Sequence, residues 1–154
     1  MLNNVNIFYK KKILIYGLGK SGLSVLKFLK KDNEITTHDD KIKVDNKKVT
    51  KKKYDYIIIS PGIDINKCNL SNFLKDNSKK IYTDLDIFYN HHKENNKITI
   101  TGTNGKSTTA KILYDTLRDQ KVDARLVGNI GNPVLLEKKV TNKTVFVIEA
   151  SSYQ

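Results

Sequence analysis

The sequence predicts an α/β fold with parallel sheets, arranged as two successive units. Short apolar runs typical of strands alternate with segments of helical periodicity, which is the order expected of a parallel sheet. Two glycine loops, at residues 17–22 and 102–108, each stand between a predicted strand and a predicted helix. Their spacings favour a Rossmann-like first domain, followed by the start of a second α/β domain of the P-loop type.

The sequence of the first half of the chain predicts four strands that form one sheet. Residues 12–16 (KILIY) form a short apolar run, and the run at 54–59 ends at the turn signal Ser60-Pro61-Gly62. Leu26 and Leu29 follow the first glycine loop at near-helical spacing. We therefore expect strands over residues 12–16, 34–38, 54–59 and 80–82, and helices after Ser21, near Phe73 and over 84–92.

A wholly polar stretch at residues 91–97 separates this half from the next. We place a linker at 94–97, between a first domain over 1–93 and a second, incomplete domain over 98–154. The second domain is expected to hold strands over residues 98–100, 122–127 and 145–148, with about two helices. One of these helices, over 106–118, should bury Ile112, Leu113 and Leu117.

Composition excludes several classes of protein. No apolar run approaches the roughly 18 residues that a membrane crossing needs, so membrane insertion is not expected. The single Cys68 cannot form an internal disulfide, which favours the reducing cytoplasm. The formal charge of +12 comes from 26 Lys and only 2 Arg scattered over the chain. Because base and phosphate recognition rely on Arg, this pattern favours solvated surfaces over nucleic-acid binding.

The first glycine loop, GLGKSG at residues 17–22, follows a strand and opens a helix. In such a loop Gly17 permits the tight turn, Gly19 lets a diphosphate approach the backbone, and Gly22 allows the helix to pack closely. The pair Asp39-Asp40 stands 22 and 23 residues after Gly17, where a ribose or base contact is expected. The loop predicts a bound nucleotide; a turn that serves packing alone is the alternative.

The second loop, GTNGKST at residues 102–108, carries the more specific signal. Its backbone N–H groups can hold phosphates, Lys106 can reach the β- and γ-phosphates, and the Ser107 hydroxyl can bind Mg²⁺. Ile100 stands where the usual P-loop spacing has glycine. The loop predicts ATP binding, and a helix-capping turn is the alternative.

A carboxylate at the end of a predicted strand is the candidate second metal ligand. Glu149 follows the strand 145–148, and ligands of α/β sheets collect beyond the carboxyl ends of strands. Its oxygens suit Mg²⁺, whereas an exposed strand-end residue is the alternative. The adjacent His91 and His92, and Cys68, are not expected to bind a metal.

In this order the motifs resemble the Mur ligase family, which builds the peptide stem of bacterial peptidoglycan. The loop at 102–108 is similar to that family's ATP loop, and EASSYQ at 149–154 is similar to a signature of its D-glutamate-adding branch. Residues 17–22, 60–62 and 128–131 resemble the uridine-nucleotide domain and a neighbouring loop. The resemblance covers the whole chain.

The resemblance implies a UDP-substrate site and an ATP site. Catalysis would depend on Lys106, and Ser107 with Glu149 would hold Mg²⁺. Either Asp39 or Asp40 would meet the uracil. The residues implied for ATP are Gly102, Thr103, Asn104, Gly105, Lys106, Ser107 and Thr108, and those for the UDP substrate are Gly19, Lys20, Ser21, Asp39, Gly62 and Asn129.

The activity implied is ATP-dependent addition of D-glutamate to UDP-N-acetylmuramoyl-L-alanine through an acyl phosphate. The family also has further metal ligands and a third domain that these 154 residues do not supply. We therefore expect the chain to be an N-terminal part that is inactive alone. Two alternatives stay open: a sister Mur ligase that adds another stem residue, and a nicotinamide-dependent oxidoreductase, which the first loop alone would support.

Overall fold

The computed structural model describes residues 6–42 and 45–151. The chain divides after His91 into two compact units, each with its own sheet. Every strand pairing in both sheets is parallel, which confirms the predicted α/β class. The functional division at residues 94–97 stays a prediction.

The first unit is built on a four-stranded sheet with the order β2-β1-β3-β4. Its strands are β1 (Lys12–Tyr16), β2 (Glu34–His38), β3 (Tyr56–Ile59) and β4 (Ile81–Tyr82). The register sets Tyr16 opposite both His38 and Ile59. The segments that follow β1, β2 and β3 therefore meet at one edge of this sheet.

Among the described residues of this unit, four helices accompany the sheet: α1 (Lys20–Leu29), α2 (Asn46–Thr50), α3 (Ser71–Asp76) and α4 (Asp84–His91). The short α2 was not predicted, because five residues carry no readable periodicity. It begins where the Asp45 side chain accepts a hydrogen bond from Lys47 N at 2.9 Å, a typical helix cap. A 3₁₀ turn, Ser78–Lys80, precedes β4.

The core of the first unit surrounds its central strand. Ile13 to Tyr16 are fully buried, as expected for a parallel strand that is covered on both faces. Phe8, which precedes the sheet, is also buried, and its ring lies 5.0 Å from that of Tyr56 and 5.6 Å from that of Tyr82. The segment before β1 thus contributes to the core, although no sequence pattern indicated it.

The second unit contains a three-stranded sheet with the order β5-β7-β6. Its elements are β5 (Asn96–Ile100), α5 (Lys106–Asp119), β6 (Ala124–Gly128) and β7 (Val145–Glu149), with a 3₁₀ turn at Val134–Leu136. The middle strand β7 buries Phe146, Val147 and Ile148 completely. The register aligns Ile100 and Gly128 with Glu149, so all three strands end at the same edge.

Two predictions for the second unit are wrong. Ile112 is 61% exposed, because α5 packs on the sheet through the small, fully buried Ala110, and Leu113 and Leu117 are only half-buried. Where a second helix was expected, the part of this unit that the structure describes has the single 3₁₀ turn. Among the described residues, no helix combines the length and apolar character that crossing a membrane requires.

Candidate nucleotide-binding sites

The first glycine loop is held by the ends of three strands. Gly17 follows β1 with φ +91°, a backbone conformation that favours glycine. Its N–H donates to His38 O at 2.8 Å, and its carbonyl accepts the Ser60 hydroxyl at 2.8 Å. A Cβ atom on Gly22 would lie 1.8 Å from Gly17 O. Gly17 and Gly22 are therefore required by the packing of the loop itself.

Other glycines of this edge face open space. A Cβ atom on Gly19 or on Gly62 would have no neighbouring atom within 4 Å. Gly19 immediately precedes α1, whose first residues Lys20 and Ser21 are therefore at the positive end of the helix. The structure thus brings Gly19, Lys20 and Ser21 together on the open side of the loop, where backbone N–H groups can meet an anion.

The two acidic residues after β2 differ in their surroundings. Asp39 accepts the Leu18 N–H at 2.7 Å and the Lys41 N–H at 2.9 Å. These bonds, the first of them above all, lower the pKa of Asp39, because they stabilise its ionised form. Asp39 is therefore the acid that contacts the glycine loop.

The carboxylate of Asp40 instead contacts other residues of the first unit. It accepts the Tyr16 hydroxyl at 2.6 Å and the Asn69 N–H at 3.2 Å, and it lies 3.4 Å from His38 Nε2. Burial, followed by the bond to Asp40, raises the pKa of Tyr16. This network connects β1 and β2 to the segment before α3, and it gives Asp40 a structural role.

Asp84 is a residue of this site that sequence reasoning missed. It is the first residue of α4, and only 6% of its surface is exposed. Its carboxyl group accepts the Leu85 N–H at 3.1 Å, and Ser21 in the glycine loop is near enough to lower the pKa of this group. Burial raises the pKa of Asp84. An acid at a helix start is normally exposed, so the sequence carried no signal of this contact.

The second loop connects β5 to α5. Gly102 and Gly105 have φ values of +145° and +75°, and Gly105 directly precedes the helix. Lys106 Nζ lies back over the loop, where it donates to Gly102 O at 2.6 Å and contacts Thr103 O at 3.4 Å. The ammonium group is thus held among the loop carbonyls, at the positive end of a helix that already attracts anions.

Ser107 and Glu149 meet at this edge of the second sheet. Ser107 Oγ lies 3.2 Å from Glu149 Oε1, and Glu149 is only 4% exposed. The second carboxylate oxygen, Oε2, is buried with no hydrogen-bond partner among the described residues. A hydroxyl and a carboxylate are hard oxygen donors of the kind Mg²⁺ prefers, and Mg²⁺ commonly takes only one or two protein ligands beside phosphate. The pair fits that ion.

The loop after β6 contacts the same carboxylate residue through its backbone. Asn129 N donates to Glu149 O at 2.9 Å, and a Cβ atom on Gly128 would lie 2.3 Å from that oxygen. The side chain of Asn129 is exposed. Ser152 to Gln154, which complete the EASSYQ motif, lie outside the described residues.

His91 and His92, which the sequence analysis did not favour as metal ligands, pack on aromatic rings. The His91 ring lies 5.0 Å from that of Phe28, and the His92 ring lies 5.1 Å from that of Phe146. The described residues contain no group of three or more His, Cys, Asp or Glu side chains arranged for a metal ion. Any metal at the second loop would therefore depend on ligand oxygens in addition to Ser107 and Glu149.

Comparison with known proteins agrees with this arrangement. Residues 100–154 match the Mur ligase middle domain. The chain is 34% identical to the UDP-N-acetylmuramoylalanine--D-glutamate ligase of Rickettsia bellii, over 97% of this chain and 36% of that protein. The enzyme of the same name from Francisella tularensis subsp. tularensis is 37% identical, over 93% of this chain and 34% of that protein.

A relative of lower identity gives the same result. The enzyme of that name from Caldicellulosiruptor saccharolyticus is 30% identical, over 95% of this chain and 37% of that protein. The chain thus spans little more than a third of the length of the curated relatives it matches. Both glycine loops, the Ser107–Glu149 pair and these matches lead to one conclusion: the chain belongs to the Mur ligase family.

Proposed function

We propose that the chain provides the UDP-substrate unit and the first ATP-binding elements of a cytoplasmic ligase of peptidoglycan synthesis. The enzyme would add D-glutamate to UDP-N-acetylmuramoyl-L-alanine and convert ATP to ADP and phosphate. The observation that carries the proposal is the Ser107–Glu149 pair, with its buried, unpartnered Oε2, beside Lys106 at the start of α5. The relatives' shared name supports the choice of substrates.

In the second unit, the loop 102–108 is proposed to hold ATP. The N–H groups at the start of α5 would bind the phosphates, and Lys106 would exchange its carbonyl partners for β- and γ-phosphate oxygens. Ser107 and Glu149 would hold Mg²⁺, which neutralises charge on the phosphates when it is bound. The burial of Glu149 strengthens such an interaction, because low solvent access reduces screening.

In the first unit, the open side of the loop 17–22 is proposed to hold the UDP diphosphate. Gly19 leaves space for it, and Lys20 and Ser21 can donate hydrogen bonds from side chain and backbone. Asp39 would meet the uracil, since it is the acid that already contacts the glycine loop, through the Leu18 N–H. Gly62 and Asn129 are proposed to contact the sugar-diphosphate.

The reaction requires positioning more than covalent chemistry from the protein. The L-alanyl carboxylate would attack the γ-phosphorus while the bond to ADP breaks, giving an acyl phosphate. The D-glutamate amine would then attack the acyl carbon, phosphate would leave and an amide would form. Lys106 would stabilise charge on the transferring group, an effect worth about 3 to 4 kcal/mol for a well-placed donor. We expect no ligation by these 154 residues alone, because they correspond to little more than a third of the length of the relatives.

Calorimetric titration of the 154-residue chain with ATP, with and without Mg²⁺, tests the ATP assignment. We expect binding that strengthens with Mg²⁺ and weakens at least about tenfold in Lys106→Ala, since a charge-assisted phosphate contact is lost. Lys111→Ala is the matched control, because Lys111 lies on the same helix and pairs with Asp115 at the surface. Equal loss in both variants would contradict the assignment of Lys106.

A further inference from the structure

Asp39, the acid proposed to meet the uracil, lies in a tight turn that follows β2. Its two carboxylate oxygens each accept one backbone N–H, from Leu18 at 2.7 Å and from Lys41 at 2.9 Å. Ile42 N donates to Asp39 O at 3.0 Å, which closes the turn. A carboxylate has about four acceptor positions, so Asp39 keeps capacity for a further donor. The direction of this carboxylate therefore decides which ligand donor it can accept.

The next residue, Asp40, is anchored to parts of the unit that are remote in sequence. Its Oδ1 accepts the Tyr16 hydroxyl at 2.6 Å and lies 3.4 Å from His38 Nε2, and its Oδ2 accepts the Asn69 N–H at 3.2 Å. Tyr16 is the last residue of β1 and is fully buried, so close packing of the core fixes the position of its hydroxyl. Because a single planar peptide joins Asp39 to Asp40, an anchor on Asp40 also limits how the backbone at Asp39 can turn.

Packing alone gives little reason for the Tyr16 hydroxyl. The three residues before it in β1, Ile13 to Ile15, are apolar and fully buried. A fourth apolar side chain would continue that pattern without the cost of burying a hydroxyl group. Tyr16 instead brings a donor to the sheet edge where the turn after β2 begins. Burial, followed by the bond to Asp40, raises the pKa of Tyr16, so the hydroxyl keeps its proton and remains a donor.

The two common pyrimidine bases differ at the position that such a carboxylate can recognise. Uracil presents a ring N–H between its two carbonyl groups, whereas cytosine has an acceptor nitrogen at the same position. An ionised carboxylate only accepts hydrogen bonds, so it favours uracil over cytosine. A site built around a substrate N–H discriminates strongly against an analogue that lacks it, provided that the acceptor is held in place.

We propose that Tyr16 and Asp40 are positioning residues for base recognition: they hold the turn after β2 so that Asp39 accepts the ring N–H of uracil, and they thereby set the preference for uracil over cytosine. This inference rests on the proposed function of the first unit as the UDP-substrate site. Neither Tyr16 nor Asp40 touches the substrate; both act through Asp39.

The test is titration calorimetry of the 154-residue chain with UDP and, separately, with CDP at pH 7. The two probes share the ribose and the diphosphate and differ only in the base, so the ratio of their affinities reports base recognition. Contacts of the diphosphate with Gly19, Lys20 and Ser21 contribute equally to both. For the unaltered chain we expect UDP to bind at least about tenfold more tightly than CDP.

Variants at the two positions separate a positioning role from a structural one. Tyr16→Phe keeps the ring and removes the hydroxyl, and it should bring the UDP:CDP affinity ratio close to one by weakening UDP about tenfold. Asp40→Ala should have the same effect, and the double variant should lose no more than either single variant, because both changes remove one anchor. Asp40→Asn still offers an oxygen to the Tyr16 hydroxyl, so it should recover most of the preference.

Tyr54→Phe is the matched control. Tyr54 is another buried tyrosine of the first unit, and its hydroxyl donates to Val49 O at 3.1 Å. It precedes β3, which runs parallel to β1, so it lies at the opposite end of the sheet from the turn that holds Asp39. Tyr54→Phe should therefore reduce the free energy of unfolding as Tyr16→Phe does, yet keep the UDP:CDP ratio of the unaltered chain.

The possible outcomes are distinct. A Tyr16→Phe chain that keeps the unaltered ratio, or a Tyr54→Phe chain that loses it as well, would overturn the inference and leave the substrate site intact. Equal affinity of the unaltered chain for UDP and CDP would also overturn it, while the diphosphate site would stand. Absence of binding to both probes would contradict the proposed function of the first unit, and the inference with it. If circular dichroism shows that Tyr16→Phe is unfolded, Asp40→Ala decides, and an unaltered ratio there overturns the proposal.

Discussion

Ser107 Oγ lies 3.2 Å from Glu149 Oε1, although the two residues are 42 positions apart in the chain. The contact exists because β7 pairs directly with β5, the strand that leads into the second glycine loop. A strand-end carboxylate is thereby placed beside the first turn of α5. The middle position of β7 in the sheet is therefore what makes this site possible.

Glu149→Gln should lower Mg²⁺-dependent ATP affinity about tenfold or more and yet stabilise the fold. The uncharged amide is a weaker ligand for Mg²⁺ than a carboxylate. It also replaces a buried charge, whose Oε2 has no partner among the described residues, by a neutral group that costs about 1 kcal/mol less to bury. Urea unfolding gives the stability, and calorimetry gives the affinity. A variant that is both less stable and still responsive to Mg²⁺ would contradict the assignment of Glu149 as a ligand.

Gly22→Ala should reduce stability, whereas Gly19→Ala should reduce ligand affinity. A methyl group on Gly22 meets Gly17 O at 1.8 Å, and the strain should cost about 3 kcal/mol of unfolding free energy or more. Gly19→Ala meets no protein atom within 4 Å and should change stability by less than about 1 kcal/mol. It should nevertheless weaken UDP binding, because the methyl group takes up ligand space. Thermal unfolding with and without UDP distinguishes the two.

Asp39→Asn should reduce the free energy of unfolding at pH 7. It should also make this free energy depend less on pH in the acid range. The pKa of Asp39 is lowered in the fold, so its contribution is fully present above the ordinary value of 3.8 and is lost as pH falls through the lower, folded value. Because Asp39 is partly exposed, we expect a loss of about 1 kcal/mol. Urea unfolding at pH 7 and pH 3 measures both quantities; Asp76→Asn, at an exposed position, should leave them unchanged.

Phe8→Ala should cost about 3 kcal/mol, although Phe8 precedes every strand and helix of the first unit. Its ring is buried against Tyr56 and Tyr82. The neighbouring Tyr9 is 49% exposed, so Tyr9→Ala should cost less than about 1 kcal/mol. Denaturant midpoints of the two variants give the comparison. Similar losses in both would show that the segment before β1 does not contribute to the core as described.

The glycine loops and the strand-end position of Glu149 could be predicted because local sequence determines them. A loop such as 17–22 requires glycine for contacts within a few residues of chain, and Gly17 and Gly22 make those contacts. A carboxylate after an apolar strand must lie at a sheet edge, whatever the strand order. The contact between Ser107 and Glu149 needed the strand order as well, which no local pattern contains.

Contacts between distant elements could not be predicted in the same way. The helical period over 106–118 suggested a buried Ile112, but the small Ala110 brings α5 onto the sheet and Ile112 lies outside. Phe8 and Asp84 are buried by helices and strands that are remote in sequence. Periodicity reports which residues share a face, and tertiary packing decides which face is covered.

If Asn129 and Glu149 each hold the ligand proposed for them, the bond between Asn129 N and Glu149 O would couple the binding of the two ligands through the backbone. The backbone of Gly128 packs closely against Glu149, because even a Cβ atom on Gly128 would lie 2.3 Å from the same oxygen. A sugar-diphosphate that shifts Asn129 would thus shift Glu149, and with it the affinity for metal-bound ATP. Such heterotropic coupling is reciprocal, so each ligand would change the affinity of the other by the same factor.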